Sequence, residues 1–174
     1  MLTLPYSVVA YYATNAMRFR ASMPAVPQAF YQNEFWKIRL DAWQVEQGKS
    51  AMRFFLTHEA VIIGHVFVDN IVYGAFRAGY LGYGICVDFE GQGHMSRAIN
   101  TCVRHLFAPS MSLNRVMAAC MPDNTRSIHL LRRLGFDQEG YARRYLKLDN
   151  RWQDHLLFAL INADFFTEVQ CSNT

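Results

Sequence analysis

Residues 80–96 read Tyr-Leu-Gly-Tyr-Gly-Ile-Cys-Val-Asp-Phe-Glu-Gly-Gln-Gly-His-Met-Ser, a β-rich run that passes through a glycine-containing turn directly into a helical pattern. Amides at such a helix start have no intrahelical partner, and the helix dipole places about half a positive charge there. Glycines at the turn let a phosphate reach those amides with no side chain in the way. The chemistry on offer is backbone recognition of an anion. A tight strand-to-helix turn that binds nothing would use the same residues, and the segment alone leaves both readings open. It is neither of the two common phosphate loops: no Lys-Ser/Thr pair follows, and the three-glycine dinucleotide spacing is absent. Gly82 and Gly84 share one face of the strand, where glycine marks either the close approach of a ligand or a crowded contact.

Other reactive side chains are scattered. The six histidines show no ligand spacing with one another or with cysteine, so no metal site is expected and His94 is read as a flank of the anion loop. Cys86, Cys102, Cys120 and Cys171 lie far apart and read as reduced thiols of a cytosolic protein. Cys102 falls on an apolar helical stripe and reads as core.

The elements that position these residues follow from the periodicity. Residues 2–4 suit a short strand and 7–16 a helix, whereas 18–27, with Pro24 and Pro27, read as irregular. Tyr31, Phe35, Ile38, Ala42 and Val45 recur at helical spacing and stop before Gly48. Residues 52–56 and 61–68 form a hairpin, and 80–87 form a strand. After Gly93, the positions Met95, Ala98, Ile99, Cys102, Val103 and Leu106 make a continuous apolar helical stripe. A strand at 115–120, a helix at 125–134 stopped by Gly135, and a hairpin turning at Asp149-Asn150 complete the chain. This order predicts an α+β (mixed α/β) fold with helices on the faces of one sheet.

The chain has 174 residues, 52% of them hydrophobic, 14% aromatic and 18% charged, which is enough apolar material for a full core and excludes a disordered protein. One domain over residues 1–174 is expected, with a core from about 2 to 163 and a loose tail at 164–174. No apolar run approaches the roughly eighteen residues of a membrane span, and no secretion signal opens the sequence. A net charge of +3 suits an anionic ligand but is too small to indicate nucleic-acid binding, and none is expected.

Taken with two later motifs, the glycine loop becomes recognisable. Gly91-Gln-Gly93-His-Met resembles the acyl-coenzyme A pyrophosphate loop of the GCN5-related N-acetyltransferases (GNAT). Pro122-Asp-Asn124-Thr-Arg-Ser127, followed by Leu134-Gly135-Phe136, resembles the second coenzyme A motif of that superfamily. Glu139-Gly140-Tyr141-Ala142 and Arg151-Trp152-Gln153-Asp154-His155, with Tyr11-Tyr12-Ala13 and Leu81-Gly82-Tyr83, narrow the resemblance to ribosomal-protein-alanine acetyltransferases of the RimJ type, over nearly the whole chain.

The resemblance implies a GNAT fold, with a twisted, mostly antiparallel sheet of roughly six to seven strands flanked by helices. It implies acetyl-CoA as co-substrate and direct transfer to an amine without an acyl-enzyme. Backbone groups of Ile85, Cys86 and Val87 would bind the pantetheine arm, with an amide of Cys86 or Val87 polarising the thioester carbonyl. Amides of Gln92, Gly93, His94, Met95 and Ser96 would hold the pyrophosphate, and Asn124 the cofactor arm. Ser127 would sit near the sulfur as a general acid for the leaving thiolate; without the family context, Asn124 and Ser127 read as an N-cap and a first-turn serine. Arg126, or one of the Arg132-Arg133 and Arg143-Arg144 pairs, would meet the 3′-phosphate.

The pattern departs from the superfamily at four positions. Glu90 stands where glutamine or arginine usually opens the loop, Met95 replaces a small residue, Arg97 replaces glutamate, and Leu131 replaces a tyrosine general acid. No acid lies on the strand at 80–87, where a base is usual, and Glu34, His58 and His65 are the remaining candidates. An α-amine with a pKa of about 7.7–8.0 is roughly one-tenth neutral at pH 7, whereas a lysine near 10.4 is almost wholly charged. A site without a strong base therefore suits a protein N-terminus, with alanine of a small-subunit ribosomal protein as the expected acceptor, in a cytoplasmic monomer or homodimer. The alternatives are a small amine such as a polyamine or drug, or a degenerate coenzyme A-binding module with a regulatory or ribosome-assembly role.

Overall fold

In the computed structural model, residues 4–165 are described. The chain begins with α1 (Leu4–Thr14), α2 (Ala16–Arg20) and α3 (Asn33–Glu46), and continues through β1 (Met52–His58), β2 (Val61–Val72) and β3 (Ala78–Ile85). Then come α4 (His94–Phe107), β4 (Arg115–Cys120), α5 (Thr125–Arg133), β5 (Asp137–Leu148) and β6 (Arg151–Ile161). The strands form a six-stranded sheet in the order β1-β2-β3-β4-β6-β5, in which only β3 and β4 run parallel among the described residues.

Local chemistry accounts for the boundaries. In α4, the stripe Met95, Ile99, Cys102, Val103 and Leu106 is wholly buried, and each large apolar side chain contributes roughly 1.5–3 kcal/mol on leaving water. Asn124 Oδ1 accepts the Ser127 N–H at 3.1 Å and caps α5, which stops at Gly135 with φ +86°. The β1–β2 and β5–β6 hairpins turn on pairs with positive φ, Glu59-Ala60 and Asp149-Asn150.

Three expectations near the N-terminus need correction. Leu4 opens a helix and not a strand, while residues 2 and 3 lie outside the described residues. The expected helix at 7–16 breaks at Asn15, whose side chain turns back onto the Tyr11 carbonyl at 2.8 Å. Residues 18–20 of the stretch expected to be irregular belong to α2, and Phe19 is buried. Most of the expected tail, residues 166–174 with Cys171, lies outside the described residues.

The core lies on both sides of the sheet. One cluster joins Val66, Val68, Leu81, Val116 and Phe158 to α4 and to Ile128 and Leu131 of α5. The other is aromatic, built from Tyr11, Tyr12, Phe19, Phe30 and Trp36 around α1 and α3. Between them the sheet forks. The β3–β4 register runs from Ala78↔Arg115 to Leu81↔Ala118 and stops there, although β3 continues to Ile85 and β4 to Cys120.

Candidate active site

Pairing of β3 with β2 decides which backbone groups face the fork. Cys86 N–H donates to Ile63 O at 2.8 Å, so the even positions of β3 spend their amides on β2. Successive strand residues turn their amides and carbonyls to opposite edges, so Tyr83 and Ile85 present theirs to the side where β4 has parted. Ile85, expected to lend backbone to a ligand, thus has its backbone groups on the open side. The Cys86 amide is not available to one, because it is already engaged. Val87, which starts a short 3₁₀ turn (Val87–Phe89) and is largely exposed, keeps that possibility.

Beyond the turn, Gly91 and Gly93 adopt φ +72° and +78°, conformations that other residues enter only with strain. The first helical bond of α4 runs from Arg97 N–H to Gly93 O, so the amides of His94, Met95 and Ser96 precede the ladder. Gln92 donates its side-chain amide to Asp88 O at 2.7 Å and braces the loop. The Met95 side chain is buried in the core under α4, so that only its amide can serve an anion; this explains how a large residue is tolerated there. His94 Nδ1 lies 3.1 Å from Arg97 Nη2, and its ring packs near Phe89 and His58, which places His58 beside the anion loop. Glu90 points away from the loop amides into two ion pairs, with Arg18 of α2 and with Arg126 of α5 at 2.5 Å. Arg126 is therefore held by a carboxylate on this loop, and Glu90 carries no uncompensated charge.

Across the fork, Ser127 stands on the first turn of α5, hydrogen-bonded to the Tyr83 hydroxyl, with Cys120 of β4 beside it. Burial pushes Tyr83 up to about 12 and Cys120 up to about 11, so both stay protonated near neutrality.

The opposite side of β3 is different in kind. A Cβ at Gly84 would meet His65 Cε1 at 2.7 Å and Phe19 Cε1 at 3.3 Å, whereas one at Gly82 would meet nothing within 4 Å. Gly84 thus answers to crowding, and Gly82 faces open space. Tyr11 Oη lies 2.9 Å from His65 Nδ1 and 3.4 Å from Gly84 O. Burial among aromatic rings drives His65 down to about 4, so its imidazole is neutral and weakly basic. Asn15 Nδ2 donates to Cys86 Sγ at 3.2 Å, yet burial still raises that thiol's pKa and leaves it a poor nucleophile. Next to this cluster a cavity of about 370 Å³ opens, lined chiefly by Tyr12, Ala16, Phe19, Met23 and Phe30. The Arg20–Asp149 ion pair, at 2.9 Å, ties the β5–β6 turn to α2 beside it. Glu34 is exposed in the first turn of α3.

Sequence reasoning missed Tyr11, Asn15, Arg18, Tyr83 and Cys120. Tyr83 was within reach of the period of two: it alternates with Gly82 and Gly84 and so must face α4. Cys120 ends β4, and its place beside Ser127 depends on how α5 packs; Tyr11, Asn15 and Arg18 depend on the packing of α1 and α2, for which the sequence carries no strong periodic signal.

The sequence and the fold have known relatives. Residues 7–137 match the acetyltransferase (GNAT) domain family. The [ribosomal protein uS5]-alanine N-acetyltransferase of Escherichia coli is 37% identical over 158 residues, covering 89% of this chain and 81% of that protein. The crystal structure of the ribosomal-protein-S5-alanine acetyltransferase from Vibrio fischeri superposes with a TM-score of 0.87 at 34% identity, covering 92% of this chain and 89% of that one. Microcin C7 self-immunity acetyltransferase MccE, solved with acetyl-CoA and AMP, shares the fold with a TM-score of 0.80 at 23% identity, covering 91% of this chain and 88% of that one. The chain belongs to the GNAT family and is an acetyl-CoA-dependent N-acetyltransferase.

Proposed function

We propose that this enzyme acetylates the N-terminal α-amine of a protein, with alanine of a small-subunit ribosomal protein as the acceptor. The two relatives named for S5 (uS5)-alanine acetylation support that choice. In this reading the amides before α4 bind the pyrophosphate, Ile85 and Val87 lend backbone groups to the pantetheine arm and thioester carbonyl, and Asn124 and Ser127 border the arm and its sulfur. A ribosomal acceptor makes the reaction cytoplasmic.

The observation that carries the reading is the character of the groups around Gly82 and Gly84. Among the described residues there, Tyr11 is held protonated by burial, Cys86 keeps its proton, and His65 is neutral with a pKa of about 4. None of them is matched to removing a proton from an ammonium near neutral pH. The acceptor must then arrive as a free amine, which favours an α-amine over a lysine by about 2.5 pK units, or roughly 3.5 kcal/mol. Asp88, which acts electrostatically on Cys86, is exposed beyond the strand end.

Thiol release from acetyl-CoA tests this with three acceptors: an uS5-type peptide beginning with alanine, the same peptide with a blocked N-terminus and an internal lysine, and spermidine. Only the first is expected to turn over appreciably. Faster turnover of either other acceptor would overturn the assignment.

A further inference from the structure

Tyr83 lies on the α4-facing side of β3, and its hydroxyl is hydrogen-bonded to Ser127 Oγ on α5. The contact spans the fork, joining strand to helix beyond the point where β3 and β4 stop pairing. The Cys120 thiol of β4 lies beside this pair. A tyrosine hydroxyl that keeps its proton and donates to Ser127 leaves the serine's own proton to point elsewhere. A neutral thiol is a weak acceptor, and an anionic sulfur in the fork would be a far stronger one.

We propose that Tyr83 is a positioning residue for acetyl transfer: it fixes the Ser127 hydroxyl so that the serine proton faces the sulfur released from the thioester. The proposal rests on the reading of Asn124 and Ser127 as neighbours of the pantetheine arm. In the reaction the amine nitrogen bonds to the carbonyl carbon, the C–S bond breaks with its electron pair staying on sulfur, and the surplus amine proton passes to water. A thiol of pKa about 8.5 departs readily as thiolate, and a phenol near 12 is too weak an acid to protonate it. The hydroxyl pair therefore supplies a charge-assisted hydrogen bond and no full proton. This revises the general-acid role expected for Ser127. Leu131 is fully buried in the core and contributes no hydroxyl of its own.

Bound product reports this without turnover. A site that prefers the thiolate makes CoA affinity rise as the pH passes the thiol pKa, while desulfo-CoA, which lacks the sulfur, supplies the reference. Dissociation constants for both would be measured by calorimetry from about pH 6.5 to 9.5 on wild type, Tyr83→Phe and Ser127→Ala. The CoA-to-desulfo-CoA affinity ratio is expected to improve about tenfold over that range in wild type, and to lose most of this gain in both variants. In Tyr83→Phe, kcat should fall about tenfold with the KM for acetyl-CoA unchanged. A Tyr83→Phe enzyme that keeps the wild-type pH dependence of the ratio overturns the proposal, even if Ser127→Ala has lost it. A flat ratio in wild type also overturns it while leaving the acetyl-CoA site standing, since both ligands bind. Failure of both ligands to bind wild type would remove the site reading and the proposal together.

Discussion

The two sides of the β3–β4 fork solve different problems with the same strand. On the α4 and α5 side the chain offers backbone amides, two left-handed glycines and a pair of hydrogen-bonded hydroxyls, all suited to anionic oxygen and sulfur. On the α1 to α3 side it offers aromatic rings, a neutral histidine, an exposed-backbone glycine and an apolar cavity. The first side accepts negative charge, and among the described residues around Gly82 and Gly84 the second presents no base matched to an ammonium. An acetyltransferase needs the first in order to hold its donor. It can do without a base on the second only if its acceptor is already neutral.

The largest expected effect lies on the donor side. Gly93→Asp forces a side chain into a backbone of φ +78° and sets a carboxylate where the amides await an anion. The variant should fold, yet lose about 100-fold or more in CoA affinity, equivalent to about 3 kcal/mol, and with it the thermal shift that CoA gives wild type. Unchanged affinity would remove the loop from the site.

The two strand glycines sharpen the contrast on the acceptor side. Gly84→Ala drives a methyl group into the His65 ring and should cost roughly 1–3 kcal/mol in thermal unfolding. Gly82→Ala meets no protein atom and should leave stability within about 0.5 kcal/mol, while raising the acceptor KM and sparing CoA binding. Equal effects of the two on stability would contradict the open space over Gly82.

That pair also shows how far the residues could be read. Their shared face was evident from the period of two, but crowding and openness were not, because they depend on Phe19 and His65 brought in from α2 and β2. The donor side was legible because its parts are local: a strand, a glycine turn and an amphipathic helix are contiguous, and Asn124 caps the helix that carries Ser127. The acceptor side is assembled from α1, α2, β2 and the β5–β6 turn, and weak local signals at 2–27 suggest a strand at the helix start and an irregular run over the end of α2. Register alone revealed that the Cys86 amide is taken by Ile63 while that of Ile85 faces the fork.

A smaller effect separates cap from chemistry. Asn124→Ala removes the acceptor of the Ser127 N–H and should lower stability by about 1 kcal/mol. If Asn124 also touches the cofactor arm, CoA affinity falls about tenfold as well, which calorimetry on the folded variant reads directly. Lost stability with unchanged affinity would confine Asn124 to capping.

The central claim, that the acceptor arrives as a free amine, is tested most directly by the pH dependence of kcat/KM. His65 titrates at about 4, so it is neutral throughout the range from about pH 6 to 9 and contributes no inflection there. With two alanine-starting peptides whose α-amine pKa values differ by about half a unit, kcat/KM should rise roughly tenfold per pH unit and level off near pH 8. The inflection should shift with the peptide, and Asp88→Asn should leave it in place. An inflection fixed at one pH for both peptides would contradict the account and reveal a base supplied by the enzyme.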